Sequence, residues 1–494
     1  MEFLNLTPFA AMAYSAEDTQ AREYRVVVAK VTYQLVACTS QPMPGITLCE
    51  AHVMDQDGPT LLTEDQFAGE VGTSDVLAES DLAPYKPRCD VLVTGHSYAP
   101  AGQRVNKWQS RLRISLPVVV QLPTRPEPPA PLNPMMRLTT EQQAQYQAQL
   151  QAHEKEIVRL QDPAQRKPRV LLDKTLTFNG PRLYQAGLLA GWNLLAAQPT
   201  SKVPLSYTLA YGGTSQVINP QYGNRPEEPE YLINEVCYTN PLGTGWQHKN
   251  YEDAGKRARL KMPEFIRAPQ IEYPSHPVDG LEVTKQPAGP DIAGMTRAAQ
   301  DYRGRPAGFG PIGRAWVPRV QYVGTYDQDW LDNQWPHVPR DFKFDYWNCA
   351  PQDQQIEHLH GQAIIELTNL ANPQLTSDPH IKVMLPGHRA SVLFRLKSGL
   401  LISSACVVDT LHIDTDKMQV ALVWRCAILD EMQPATAELR YQTDTDKPLI
   451  SFDEQTQAAL HALRGDAHTG DGNLAATAAQ TPTLTQNIQG HAHG

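Results

Sequence analysis

Proline is the residue that most limits what this chain can fold into. The 494 residues include 41 prolines against 31 glycines. Because proline lacks a backbone N–H and its ring clashes with the preceding helical turn, a chain so rich in it forms few long helices and many turns. The composition therefore favours β structure. The length exceeds that of one ordinary core, which predicts two packed domains or one domain with large insertions.

Alternating apolar and polar residues predict where the strands lie. In residues 24–36, "YRVVVAKVTYQLV", the apolar Val31, Tyr33 and Leu35 alternate with polar neighbours, the period of a strand with one dry face. Further strand-like segments are residues 89–100, 169–180, 391–398 and 407–428. The last of these is interpreted as two strands joined across residues 414–417.

A proline-rich segment and a helical pattern separate two of these regions. Seven prolines occur from Pro117 to Pro134, and residues 139–161 then place one apolar stripe at alternating steps of four and three. We predict a β-rich unit at 1–119, a linker and helical insertion at 120–168, a second β-rich unit at 169–464 and a disordered tail at 465–494. The predicted fold class is mainly β, with two intimately packed, sandwich-like units.

Charge and hydropathy exclude several classes of function. Lys plus Arg (43) minus Asp plus Glu (53) gives a net charge of −10, without a basic patch that would attract a phosphate backbone. No run of about 18 apolar residues and no basic leader occurs. We therefore predict a cytoplasmic protein that binds neither nucleic acid nor membrane. The seven cysteines form no CxxC pair, which predicts reduced, buried thiols.

The chain offers little that resembles a catalytic or cofactor site. A nucleophile elbow, a phosphate-binding glycine loop and a dinucleotide fingerprint are all missing from the sequence. His358 and His360 would point the same way on a strand, but two histidines do not make a metal site. We predict no cofactor, no metal and no catalytic residue. The alternative is a hydrolase acting on carbohydrate or peptidoglycan through Asp327 and Asp341, with His358 or His360.

Residues 308–330, "GFGPIGRAWVPRVQYVGTYDQDW", concentrate glycines, aromatic residues and aspartates without a helical period. Glycine permits turns with positive φ and close backbone approach. Tryptophan and tyrosine supply large apolar faces with a polar edge. The stretch therefore indicates either a core built from turns or a surface that binds a partner, in which exposed rings act with Arg319 or Arg340.

Residues 306–355, here called the signature stretch, resemble the domain-of-unknown-function 2169 family. The features that carry the resemblance are Gly308, Phe309, Gly310, Pro311, Trp316, Pro318, Arg319, Gly324, Thr325, Tyr326, Asp327, Trp330, Pro339, Asp341, Phe342, Asn348, Ala350, Asp353, Gln354 and Gln355. Shorter similar pieces extend it from about residue 5 to about residue 430. The sequence departs from the family pattern in the 120–168 insertion, at Thr208 and Leu209, and in the tail.

The resemblance implies an adaptor or chaperone of bacterial type VI secretion. Such a protein is expected to bind a cognate toxin effector and to help load it onto the VgrG spike or its PAAR-domain tip. A third possibility is a secreted structural piece of the spike itself. The residues expected to bind a partner or to form the family signature are Phe309, Trp316, Arg319, Tyr326, Asp327, Trp330, Arg340, Asp341 and Tyr211.

Overall fold

The computed structural model describes most of the chain up to residue 444. The described residues are 1–38, 45–54, 60–117, 123, 125–127, 140–161, 168–187, 192–218, 232–246, 264–278 and 306–444. The predicted disordered tail at 465–494 lies outside them, as does most of the proline-rich segment.

The described residues form many strands and few helices. The strands before the insertion are β1 (Glu2–Asn5), β2 (Ala10–Glu17), β3 (Glu23–Ala37), β4 (Ile46–Met54), β5 (Gln66–Phe67), β6 (Val76–Ala78), β7 (Cys89–Thr94), β8 (His96–Tyr98) and β9 (Lys107–Leu116). The insertion carries helix α1 (Thr140–Gln161).

The strands between the insertion and the signature stretch are mostly short. They are β10 (Arg169–Asn179), β11 (Leu183–Ala186), β12 (Trp192–Leu194), β13 (Lys202–Pro204), β14 (Tyr211–Gly212), β15 (Thr214–Ile218), β16 (Leu232–Val236), β17 (Thr244–Gly245), β18 (Phe265–Arg267) and β19 (Ile271–Glu272). The signature stretch holds two short helices, α2 (Val317–Val320) and α3 (Gln328–Asn333).

The chain returns to strands at the end of the signature stretch. These strands are β20 (Gln355–Ile356), β21 (Ile364–Thr368), β22 (His380–Met384), β23 (Arg389–Leu396), β24 (Leu401–Ala405), β25 (Val407–Asp414), β26 (Gln419–Leu429) and β27 (Pro434–Gln442). The prediction of a mainly β protein is confirmed. The strands predicted from alternation at 24–36, 89–100, 169–180, 391–398 and 407–428 are present.

One large curled sheet draws its strands from both predicted β-rich units. Its order is β19-β10-β9-β21-β22-β4-β3-β26-β25-β7-β20, and β2 also pairs with β3. A smaller sheet has the order β1-β27-β23-β24. Strands from before and after the insertion are therefore interleaved, as in the long antiparallel pairings of β9 with β10 and of β3 with β26. The two ranges share one main core.

Strand β3 differs from the sequence-based expectation of one dry face. Val31, Tyr33 and Leu35 are buried as predicted, but Lys30 and Thr32 on the other face are buried as well. Lys30 Nζ lies 2.9 Å from Asp81 Oδ2, so the segment around Asp81 covers this face. The expectation is wrong because alternation predicts that the polar residues of a strand face solvent, whereas here a buried ion pair satisfies Lys30.

The stripe on α1 faces the proline-rich segment that precedes the helix. The Tyr146 hydroxyl donates to the backbone oxygen of Pro126, and His153 Nε2 lies 2.9 Å from that of Pro123. Tyr146, Leu150, His153 and Ile157 are half-buried. In the described part of the chain, no helix is long and apolar enough to cross a membrane. Six of the seven cysteines are buried, in agreement with the prediction, and Cys38 is half-buried.

His412 on β25 gives the fold a measurable pH dependence. Burial, aided by the charge of Lys30 and opposed by those of Asp414 and Asp81, lowers its pKa to about 4, and its Nε2 lies 2.8 Å from Thr94 Oγ1. The unfolded chain therefore takes up this proton at higher pH than the folded chain does. His412 therefore contributes about 2 kcal/mol to the stability of the fold above pH 6.5, and this contribution is lost as the pH falls towards 4.

Urea unfolding at pH 7 and pH 4.5 measures this contribution. We expect the free energy of unfolding of His412→Gln to differ less between the two pH values than that of the wild type does. His52→Gln is the control, because that side chain is 57 % exposed. If the free energy of unfolding of H412Q changes with pH as much as that of the wild type, His412 is not the source of the pH dependence.

Candidate functional site

Part of the signature stretch joins two strands that lie near opposite ends of the large sheet. Lys174 on β10 is buried, and its Nζ donates to the backbone oxygen of Gly308 (2.8 Å), to Gln354 Oε1 (2.6 Å) and to Asp353 Oδ1 (2.8 Å). One ammonium group thus holds both ends of the signature stretch against β10.

The same backbone reaches β7 through Gln354 and Phe309. Gln354 Nε2 donates to the backbone oxygens of Val91 (2.7 Å) and Phe309 (2.8 Å). The amide of Val93 also donates to the oxygen of Phe309, at 3.0 Å. Residues 308–309 and 353–354 therefore bridge β10 and β7, and we call this bridge the seam. At the seam, hydrogen bonds of side chains and loop backbone connect β10 to β7, and these two strands do not pair with each other.

The ring of Phe309 fills the core beneath the seam. It is 1 % exposed and stacks on Phe178 of β10 at 6.4 Å between centroids. Phe178 in turn stacks on Trp108 of β9 at 6.1 Å. Lys174 Nζ lies 5.6 Å from the centroid of the Phe309 ring, a cation–π distance. Phe309 is therefore a core residue and not part of an exposed surface.

Asp90 fixes the C-terminal part of the signature stretch. Its carboxylate has no exposed surface and accepts from Lys86 Nζ (2.9 Å), Asn348 Nδ2 (3.0 Å) and the amides of Cys349 (3.0 Å) and Ala350 (3.1 Å). Burial alone would lower the pKa of Lys86, but the charge of Asp90, together with that of Asp409 and with the hydrogen bond to Asp90, raises that pKa. The Lys86 ammonium also donates to Thr410 Oγ1 at 2.9 Å, so the buried ion pair is part of a wider hydrogen-bond network.

Arg319 and Trp316 are buried as well. The guanidinium of Arg319 pairs with Glu79 and donates to the backbone oxygens of Tyr346 (2.7 Å) and Ile312 (2.8 Å). Trp316 is 8 % exposed and meets Tyr207 edge to face at 5.2 Å. Phe309, Trp316 and Arg319 therefore contribute little exposed surface, because the core, Tyr207 and Glu79 respectively enclose their side chains.

Residues 321–341 form the exposed part of the stretch, here called the tip. Gly324 adopts φ +80°, and a Cβ there would lie 2.8 Å from Asp341 Oδ1, so this close approach requires glycine. Asp341 accepts from the amide (3.0 Å) and the hydroxyl (2.7 Å) of Thr325, and these bonds hold its pKa below the usual range. Asp327 caps α3 by accepting from the amide of Trp330 at 2.9 Å.

Three aromatic rings meet on the tip, and we call them the ring cluster. Tyr326 and Trp330 lie 4.7 Å apart between centroids, and Trp330 and Trp335 lie 5.7 Å apart, both edge to face. Trp335 is 65 % exposed, Tyr326 54 % and the neighbouring Leu331 52 %. Trp330 is half-buried, and its Nε1 donates to the backbone oxygen of His337 at 2.9 Å. The cluster is thus ordered by hydrogen bonds yet open to solvent.

The remaining predicted residues lie in different surroundings. Arg340 is exposed on the tip, and its backbone amide donates to Gln334 Oε1 at 3.0 Å. Tyr211 is half-buried in β14, which pairs with β17, outside the signature stretch. The tip also contacts the first β-rich unit, because His337 Nδ1 lies 2.7 Å from Glu17 Oε2.

The residues considered for hydrolysis or metal binding have structural partners. Asp327 and Asp341 cap a helix and a turn. His358 is half-buried with its Nε2 2.8 Å from the backbone oxygen of Lys86, whereas His360 is exposed. Within the described ranges, no three His, Cys, Asp or Glu side chains are grouped so that they could hold a metal ion.

Sequence reasoning missed several residues of this site. It did not single out Asp90 or Lys174, although both are charged residues within strands rich in apolar residues, "CDVLV" and "VLLDKTLTF". Because a charged residue is almost never fully buried unless it is paired, a charge within an apolar segment indicates a buried ion pair. It also omitted Trp335 and Leu331, which are among the most exposed apolar residues of the tip.

Comparison with known proteins returns one family. The model of the family described as "Uncharacterized protein conserved in bacteria", DUF2169, matches residues 20–121 and 158–425. The match contains the seam residues, Asp90 and the whole tip, and it leaves out residues 122–157, which include most of α1. No curated protein and no solved structure matches the chain.

Proposed function

The chain belongs to the bacterial DUF2169 family, and from that premise we propose that it is a cytoplasmic, non-catalytic adaptor of type VI secretion. It binds a toxin effector by non-covalent contacts and helps to load that effector onto the VgrG spike or its PAAR-domain tip. The type VI assignment comes from the resemblance of residues 306–355, and the departures from the family pattern concern the choice of partner.

The observation that supports binding most strongly is the exposed ring cluster. Trp335 and Tyr326 are more than half exposed, while the backbone of the tip is held by hydrogen bonds to the side chains of Asp341, Asp327 and Gln334. Tryptophan and tyrosine are enriched among the residues that contribute most to protein interfaces. Because the loop is already ordered, a partner that docks there has little conformational entropy to remove.

The carboxylates of the tip support binding rather than turnover. Asp327 and Asp341 use their oxygens to cap backbone groups, which is a structural role. An effector before loading exposes apolar surface that would otherwise aggregate, and an adaptor that covers this surface stabilises it in proportion to its affinity. Shielding and delivery require no bond to be made or broken.

Co-expression with the products of the neighbouring genes tests this function. We expect the tagged wild-type chain to co-purify with a neighbouring toxin or spike protein and to raise that protein's soluble yield several-fold. The control is the same toxin expressed without this chain. Failure to retain any neighbouring toxin or spike protein would refute the proposal. A substrate turnover that disappears in Asp341→Ala, with folding intact, would favour the hydrolase instead.

A further inference from the structure

We infer that the tip is the docking surface for a cationic polypeptide segment of the partner, one in which Arg or Lys side chains lie next to apolar ones. This inference rests on the proposed function, and it specifies the chemistry of the segment that the adaptor holds.

The apolar half of the surface consists of the ring cluster and Leu331. Edge-to-face packing of Trp330 between Tyr326 and Trp335 leaves much of the two outer rings open to solvent. An open aromatic face attracts aliphatic side chains and, through its quadrupole, an ammonium or guanidinium group. The rings alone therefore admit either an apolar or a cationic side chain.

The charges around the rings favour a cationic side chain over an apolar one. Residues 321–341 contain four aspartates and a single arginine, with no lysine or glutamate. Asp327, Asp329 and Asp332 lie exposed at or within α3. Across the described ranges, no Lys, Arg or His nitrogen lies within 4 Å of these three carboxylates, although other exposed acids of the chain do have such partners. A guanidinium group is suited to such a surface, because it stacks on aromatic rings and also bonds carboxylates.

The hydrogen bonds of these carboxylates keep them in place for a partner. Asp329 accepts from Asn333 Nδ2 at 2.7 Å, and Asp332 accepts from Gln328 Nε2 at 2.9 Å. Each bond uses one oxygen and leaves the other for a cation. The contact of Asp341 with Thr325 ties together the two ends of the tip, and the contact of His337 with Glu17 ties the tip to the rest of the protein.

Two sets of variants separate the ring and charge contributions. The first is Trp335→Ala, with Tyr238→Ala as the control, because Tyr238 is an exposed ring outside the tip. The second is the double change Asp329→Asn and Asp332→Asn, with Glu431→Gln as the control on another exposed acid. Amides preserve the shape of the carboxylates and remove only the charge. Circular dichroism melting establishes that each variant is folded.

The probe is the neighbouring gene's product that co-purifies with the wild type, together with an array of overlapping 15-residue peptides from its sequence. We expect W335A and the double variant each to bind the intact product at least 10-fold more weakly at 50 mM salt, with the controls unchanged. The defect of the double variant should shrink at 0.5 M salt, since screening weakens the wild type most. The array peptides that bind should be rich in Arg or Lys beside apolar residues.

The outcomes distinguish this inference from the function on which it rests. If the wild type retains no neighbouring product, the proposed function fails. If it does, and both tip variants bind as tightly as the controls, only the docking surface is refuted. If most of the array peptides that bind are acidic or neutral, the preference for a cationic segment is refuted. Chitohexaose binding that is lost in W335A would assign the rings to carbohydrate instead.

Discussion

Replacing Asp90 with alanine is expected to lower the free energy of unfolding by about 3–5 kcal/mol. The carboxylate has no exposed surface, and its removal leaves the buried Lys86 ammonium without its anion. It also removes the acceptor for the amides of Cys349 and Ala350. An unpaired buried charge costs more than the net contribution of the intact pair, so this change is at the upper end of the range for single substitutions.

Urea unfolding followed by circular dichroism measures the effect. Asp173→Ala is the matched control, because Asp173 pairs with Arg111 on the exposed face of β9 and β10, where such pairs contribute about 0–1 kcal/mol. If Asp90→Ala does not fold, Asp90→Asn replaces it, since the amide keeps the shape and one acceptor oxygen. Similar losses in the Asp90 and Asp173 variants would contradict the role of Asp90 as an anchor.

Lys174→Met is expected to cost about 2–4 kcal/mol and to open the seam locally. Methionine fills much of the lysine volume but donates nothing to the oxygens of Gly308 and Gln354. Without that ammonium, residues 308–309 and 353–354 are tied to β7 alone. We therefore expect hydrogen exchange to accelerate first at Val93, whose amide donates to Phe309, and at the amides around residue 354.

Lys397→Met provides the control for the loss of one lysine, because Lys397 is exposed at the end of β23. We expect its unfolding free energy to change by less than about 0.5 kcal/mol and its exchange at the seam to match the wild type. Uniformly faster exchange throughout the K174M sheet, without a larger effect near Val93, would show that Lys174 supports general stability and not the seam.

The strands were predictable because their signal is local. Alternation in residues 24–36 and 407–428 locates β3, β25 and β26 within a residue or two. Their order in the sheet was not predictable, because β3 pairs with β26 almost 400 residues later and β9 with β21 across the insertion. Such pairings depend on how distant segments fit together, for which a single sequence carries no periodic pattern.

The site was predictable only as a region. Phe309, Trp316, Tyr326 and Trp330 are the same kinds of residue, close together in sequence, yet the first two are buried and Tyr326 is exposed. Rings at the ends of the stretch pack against the sheet, whereas those in the middle project from it. Aromatic side chains are suited both to a buried core and to a binding interface, so the residue type does not reveal which of the two roles each one has.

Hydrogen exchange of the wild-type chain, alone and saturated with the neighbouring product that co-purifies with it, tests most directly whether the ring-bearing tip holds the partner. We expect slower exchange at residues 325–337 on binding, while residues 308–313 exchange slowly in both states because buried contacts surround them. A tightly bound partner that leaves 325–337 unchanged and protects another face would contradict it.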